Sequence, residues 1–339
     1  MISEFFKRKM SVMRFCTEEP TSVSKEDLIE GLKTYCFKEE SNIDVVSGFV
    51  SFDNPYSDTQ EFREHAHVFD NYFVGLFRID KRRIPASAVK AEVAKGVKYE
   101  LENSGKEFIT RARKQEITEQ VKARLLSRAI PATTFVPFVV DMTNGNGYYY
   151  STSAKDFDLF SELLSRAYGS TFITKPLTES EDDFLTYIWW ETESNSFLTM
   201  SIRDNILVKT WAGNKVSTAD EATKISASGE SIEEAKLAIS AGADVTKMEL
   251  LVMIGEEERK FMVNLDGVVS SLEYAAEDLP DNEAEELRPF IDSTHKIFEL
   301  VDLWKKKYVD ASRDGKGLTP KIRETWGKGN YCSKAFEDV

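Results

Sequence analysis

Seven cations, Lys106, Arg111, Arg113, Lys114, Lys122, Arg124 and Arg128, lie in one short stretch against three acids, Glu107, Glu116 and Glu119. Lys81, Arg82 and Arg83 precede them. Guanidinium and ammonium groups bind phosphate oxygens through charge-assisted hydrogen bonds, and neutralising a polyanion releases its counterions. A segregated run of such residues is therefore a candidate nucleic-acid surface. Composition alone reads the same run as a solvated helix face. The chain carries a net charge of -14, so a positive surface must be kept together by its fold to matter.

Other chemistry finds little footing. The chain has no GxxxxGK[ST] loop, no GxSxG elbow and no HExxH pair. His65-Ala66-His67 offers two imidazoles for a metal, with Glu61, Glu64 and Asp70 near. Asp141, Asp204 and Asp266 are expected at strand ends, and nothing in the sequence ties them into a nuclease site. Trp189-Trp190 and Tyr148-Tyr149-Tyr150 are potential base-stacking platforms. Alternation along a strand turns Tyr149 away from Tyr148 and Tyr150, which favours packing instead. Catalysis, metal and cofactor are not expected.

The cations need a frame. Pro85 to Pro131 holds a helical pattern, Ser87–Glu102 and Lys106–Leu126, broken at Asn103-Ser104-Gly105. Ile117, Val121 and Leu125 recur every four residues and should pack. Phe135–Met142 and Tyr148–Ser151 form a hairpin around Thr-Asn-Gly-Asn-Gly. Before the helices come a strand at Ser11–Cys16, a helix capped by Ser24 through Lys38, and strands at Val45–Phe52 and Val68–Asp80. After the hairpin comes a helix, Ser153–Tyr168, ended by Gly169. Thr199–Thr210 reads as strand, turn, strand, and Ala212–Gly229 as loop. Ser231–Ala241 is a helix, Val245–Tyr274 a three-stranded meander, and Glu283–Val309 a long helix with a possible break at Pro289. This order is α+β rather than a regular parallel alternation.

The composition, 41% hydrophobic and 30% charged, suits a soluble globular chain with a core. No apolar run is long enough to span a membrane. The N-terminus lacks the apolar core of a signal peptide. Cys16, Cys36 and Cys332 give neither a disulfide framework nor a zinc spacing, so a cytoplasmic location is expected. Three regions are expected: an N-terminal α+β region, 1–176, with the helical excursion 85–130; a C-terminal α+β region, 177–309; and a basic tail, 310–339.

The ordered blocks resemble the bacterial RdgC family of recombination-associated DNA-binding proteins. Asp80–Lys90 (DKRRIPASAVK) is similar to that family's charged strand end and helix start. Val121–Ala129 (VKARLLSRA) resembles its Leu-Leu-Pro-Arg-Ala-Phe signature, with Ser127 and Ile130 replacing its Pro and Phe. Glu234–Met248 (EAKLAISAGADVTKM) resembles a further run. The segment Ile225–Ser231, basic in the family, is neutral to acidic here.

The resemblance implies a horseshoe-shaped α+β subunit, closing as a ring-shaped homodimer around double-stranded DNA. It implies binding with little sequence preference, a nucleoid association, and restraint of RecA-dependent recombination. The expected contacts are Lys81, Arg82, Arg83, Lys106, Arg111, Arg113, Lys114, Lys122, Arg124 and Arg128. The alternatives are a protein-interaction subunit of the same fold without DNA binding, and a metal-dependent nuclease.

Overall fold

The computed structural model describes all residues except 1, 19–21, 23, 41–42, 58, 106, 175–183, 195–197, 203–205, 220–223, 229–231, 255, 281–283 and 313–339. Chain order begins with β1 (Lys9–Thr17), α1 (Lys25–Thr34), β2 (Val45–Val50), the single turn α2 (Glu64–His67), β3 (Val68–Phe69) and β4 (Tyr72–Lys81). The paired helices α3 (Ala86–Ser104) and α4 (Arg111–Leu126) follow. Then come β5 (Ala132–Asp141), β6 (Gly147–Tyr149), α5 (Ala154–Tyr168) and β7 (Phe172–Thr174). The second part holds α6 (Phe184–Ser194), β8 (Leu198–Ile202), β9 (Ile206–Ala219), β10 (Lys224–Ser228) and α7 (Ile232–Ser240). It closes with β11 (Asp244–Ile254), β12 (Glu257–Asn264), β13 (Val268–Glu273) and α8 (Arg288–Ser312).

This is an α+β protein built on one large antiparallel sheet, in the order β10-β9-β11-β12-β13-β1-β6-β5-β4-β2. β3, β7 and β8 pair at its margins, with β4, β1 and β9. The first strand joins the two parts of the chain by pairing with β13, Lys9 opposite Glu273 and Met13 opposite Val268.

Two cores lie on opposite faces. On one face of the N-terminal strands, α1 and α5 bury Phe15, Phe49, Phe77, Phe138 and Phe160. The other face carries a larger core that runs the length of the sheet and takes in α6, α7 and α8, with Trp189 and Trp304 fully buried. β6 straddles both. Tyr149 stacks on Phe160 on the first side, while Tyr148 stacks on Phe298 on the second. The tyrosine triplet is thus packing, as alternation requires. Trp189 belongs to the core rather than to a stacking platform.

The local signals account for most element ends. The Ser24 hydroxyl caps α1 by accepting from the Asp27 N–H, and Ser153 caps α5 likewise at Asp156. Gly169 ends α5 in the left-handed region at φ 75°. Pro289 sits in the first turn of α8, where its missing N–H costs no helical bond, so it starts the helix instead of breaking it.

Four expectations need correction. α1 stops at Thr34, and Cys36 instead bridges to Phe49. Val68–Asp80 is not one strand: Asp70, at φ 48°, turns the chain so that β3 folds back on β4. α4 starts at Arg111, after Thr110 caps it. Most of Ala212–Gly229 is strand, not loop, because β9 runs to Ala219 and β10 pairs with it. Asp204, Ser231 and most of the basic tail lie outside the described residues.

Candidate nucleic-acid interface

α3 and α4 form an antiparallel arm with a core of its own. Val93, Ile117 and Val121 are buried between them, flanked by Val89, Val97, Ile109 and Leu125. None of these joins either sheet core. Gly96 sets the close approach: a Cβ there would sit 2.8 Å from the Ile117 Cγ2. Gly105 ends α3 at φ 65°, and Thr110 caps α4 through the Arg113 N–H. Phe108, between the helices, is 76% exposed, and Tyr99 on α3 is 70% exposed.

The arm's two flanks differ in charge state. On one, Arg113 makes a two-pronged contact with Glu100, at 2.9 and 3.1 Å, and reaches Glu116 at 2.7 Å. Its hydrogen bonds to Glu100 and then to Glu116 raise its already high pKa. Arg124 binds Glu92 at 2.7 Å, and Lys95 binds the same carboxylate. The Lys95 hydrogen bond leads in holding the Glu92 pKa low. Glu92 and Glu100 lie on α3 and neutralise α4 across the groove between the helices, and Glu116 lies on α4 one turn from Arg113.

The other flank has no such neutralisation. At ~100° per residue, Arg111, Lys114 and Lys122 fall within about 80° of each other on α4. Antiparallel pairing brings Lys90 of α3 to the same side. All four are exposed, and none has an ion-pair partner among the described residues. Arg128, just past α4, and Arg83, at the arm's base, are also exposed. Lys106 lies outside the described residues.

Two of the expected contacts are used inside the fold. Lys81 binds the Asp156 carboxylate at 2.5 Å, tying the end of β4 to the start of α5. Arg82 is only 6% exposed and donates to the Glu40 carbonyl and the Glu39 carboxylate. The nine described residues of the ten therefore divide. Arg83, Arg111, Lys114, Lys122 and Arg128 face solvent with no ion-pair partner among the described residues, and Lys81, Arg82, Arg113 and Arg124 are held by acids. Lys90 was missed by sequence reasoning because it stands apart from the run. Its position on the helical wheel, opposite the Glu92 flank, was the available signal.

The remaining candidates gather into no site. His67 is buried, its Nδ1–H donating to the Val74 carbonyl and its ring stacked on Phe73. Burial lowers its pKa to about 4. Asp141 and Asp266 line different pockets. Among the described residues, no group of three or more His, Cys, Asp or Glu side chains could hold a metal ion. No helix among them is long and apolar enough to cross a membrane.

The sequence that folds into this sheet and arm matches a known family. The family described as "Putative exonuclease, RdgC" matches residues 5–294 of the chain. The protein belongs to the RdgC family. No curated protein sequence matches it.

Proposed function

We infer that the protein binds double-stranded DNA without sequence preference, without catalysis, as a ring-shaped dimer of horseshoe-shaped subunits. In that reading it restrains RecA-dependent recombination by occupying the duplex. The observation that carries it is the asymmetry of the arm. One flank is neutralised by Glu92, Glu100 and Glu116, and the other leaves Lys90, Arg111, Lys114 and Lys122 without an ion-pair partner among the described residues. A surface meant only for solvation gains nothing from such sorting, whereas a phosphate backbone needs unpaired cations on one side. The exposed Phe108 and Tyr99 give the arm apolar surface suited to meeting a second copy.

The test is fluorescence anisotropy on a duplex of generic sequence across a salt series, run beside sedimentation. The wild type binds as a dimer with affinity that falls linearly on a log–log plot. Each of Arg111→Glu and Lys122→Glu flattens the slope by about 0.9, the loss of one neutralised phosphate. Arg124→Ala, on the paired flank, leaves the slope unchanged. Equal effects from both flanks, or salt-insensitive binding, would sink this reading. Divalent-dependent shortening of the duplex in the same tubes would favour the nuclease that the family description names.

A further inference from the structure

α1 and α5 pack on one face of the N-terminal strands. Where α5 begins, a groove of about 480 Å³ opens over β11, β12, β13 and β1. Met13, Met262 and Val268 give it an apolar part, and serines and threonines supply most of the rest.

A bulge shapes the groove. Met10 of β1 faces Leu272 and Val12 faces Val269, so Ser11 alone stands opposite Ser270 and Ser271. An extra residue of this kind bends its strand and re-aims the side chains around it. Ser271 takes φ 59°, and its N–H donates to the Ser11 hydroxyl at 3.2 Å. Ser270 is only 9% exposed and lines the groove. Its hydroxyl makes no hydrogen bond among the described residues. A polar group buried to that degree is ordinarily bonded, so this one lacks a partner that a ligand would supply.

Two neighbours favour an anion there. Lys247 lines the groove and makes no ion pair or side-chain hydrogen bond among the described residues. α5, 15 residues long, starts at Ala154, which also lines it. The first N–H groups of a helix have no partner within it, and the helix dipole is positive at that end. The Ser153 hydroxyl takes the Asp156 N–H, which leaves those of Ala154 and Lys155. The Asp156 carboxylate is already bound by Lys81. Besides Lys247, the charged residue lining the groove is Asp266, which is exposed and accepts from the Asn264 Nδ2 at 3.1 Å. It forms no ion pair with Lys247 among the described residues. A bare anion gains nothing from a carboxylate, but a hydroxyl donates to one.

We propose that this groove binds a phosphate monoester carried on a sugar. The phosphate meets Lys247, Ser270 and the start of α5, and a sugar hydroxyl meets Asp266. A free sugar phosphate and the 5′ end of a DNA strand share that chemistry. The proposal does not depend on duplex binding by the arm.

Calorimetry with ribose 5-phosphate is expected to show saturable binding, tighter than that of inorganic phosphate or of ribose. Lys247→Gln and Ser270→Ala should each weaken it roughly tenfold. Ser270→Ala removes a hydroxyl that holds no protein bond, so the melting temperature should not fall. Asp266→Ala should weaken ribose 5-phosphate and leave inorganic phosphate no weaker. In the wild type, ribose 5-phosphate should slow hydrogen exchange at the Ala154 and Lys155 amides, a readout that needs no variant. Displacement by a 5′-phosphorylated duplex, and not by its unphosphorylated counterpart, assigns the ligand to a DNA end. Displacement by neither assigns it to a free sugar phosphate. Absence of saturable binding, equal binding of inorganic phosphate, or binding indifferent to Lys247→Gln and Ser270→Ala overturns the proposal. So does binding that is lost in Arg111→Glu and kept in Lys247→Gln, which places the ligand on the arm.

Discussion

Arg78 in the sheet and Arg111 on the arm are the same side chain in opposite circumstances. Arg78 lies 4.0 Å above the Phe37 ring and meets both Asp80 oxygens, at 3.0 and 2.8 Å, with its side chain 11% exposed. Arg111 stands in water with no acid beside it among the described residues. Between them fall Arg113 and Arg124, solvent-accessible but engaged. A cation's meaning in this protein is set by whether an acid reaches it. In the sheet the acids come from the same strand, as Asp80 does, from a neighbouring strand, or from a distant loop or helix, and lock the fold. On the arm they lie along one flank, Glu92 and Glu100 on α3 and Glu116 on α4, and they leave the opposite flank charged.

The largest test of that contrast is to strand a buried charge. Asp80→Ala leaves the Arg78 guanidinium without its partner in a nearly sealed site. It should cost about 3–5 kcal/mol in chemical denaturation, whereas Glu100→Ala beside half-exposed Arg113 should cost under ~1 kcal/mol. Similar costs at the two positions would erase the distinction between sheet and arm.

Next in size is the pH response of the sheet side. His67 is sealed among Phe52, Phe62 and Phe73, and its folded pKa is about 4. Above pH 6.5 neither folded nor unfolded chain holds the proton, so the neutral ring's stability is fully present. As pH falls from about 6.5 to about 4, the unfolded chain binds a proton that the folded chain refuses. Stability should drop by ~3 kcal/mol across that window. Urea titrations at several pH values should show the drop in the wild type and its loss in His67→Phe, which keeps a ring in place. An equal pH slope in the variant would assign the effect elsewhere.

Smaller still is the arm's own packing. Gly96→Val presses a side chain into Ile117 and should cost the arm about 1–3 kcal/mol. Hydrogen exchange should rise across α3 and α4 while the sheet amides stay protected and the main unfolding transition stays put. A shift of the whole transition would show that the arm and the sheet unfold together, and that their separate cores are not independent units.

Much of this architecture was legible in the chain. Ser24, Ser153 and Gly169 marked helix ends because capping is local chemistry, decided within a few residues. Ile117, Val121 and Leu125 announced the arm's seam by spacing. The later part of β9 and all of β10 were not legible. Ala212–Gly229 is small, polar and glycine-bearing, and it is strand because β11 pairs along β9, a contact between distant segments. The same holds for the site. Lys81 and Arg82 looked like the base of a basic surface, but Asp156 and Glu39 lie 75 and 43 residues away in the chain. No window of sequence shows such a pairing. Arg111 and Lys122 kept their expected exposure because their surroundings are set within one helix pair.

The pairing of β1 with β13 also bears on how the protein is made. Lys9 and Glu273 are partners, so β1 cannot close its ladder with β13 until more than 250 further residues have been made. Such a sheet has high contact order, and its assembly is slow for that reason. During synthesis β1 stands as an open edge, the kind that recruits other chains. Lys7, Arg8 and Lys9 sit at its start, and like-charged nascent edges repel each other. Charge beside β1 is the ordinary way an open edge is kept from pairing with a second copy, and the edge closes only once residue 273 is in place.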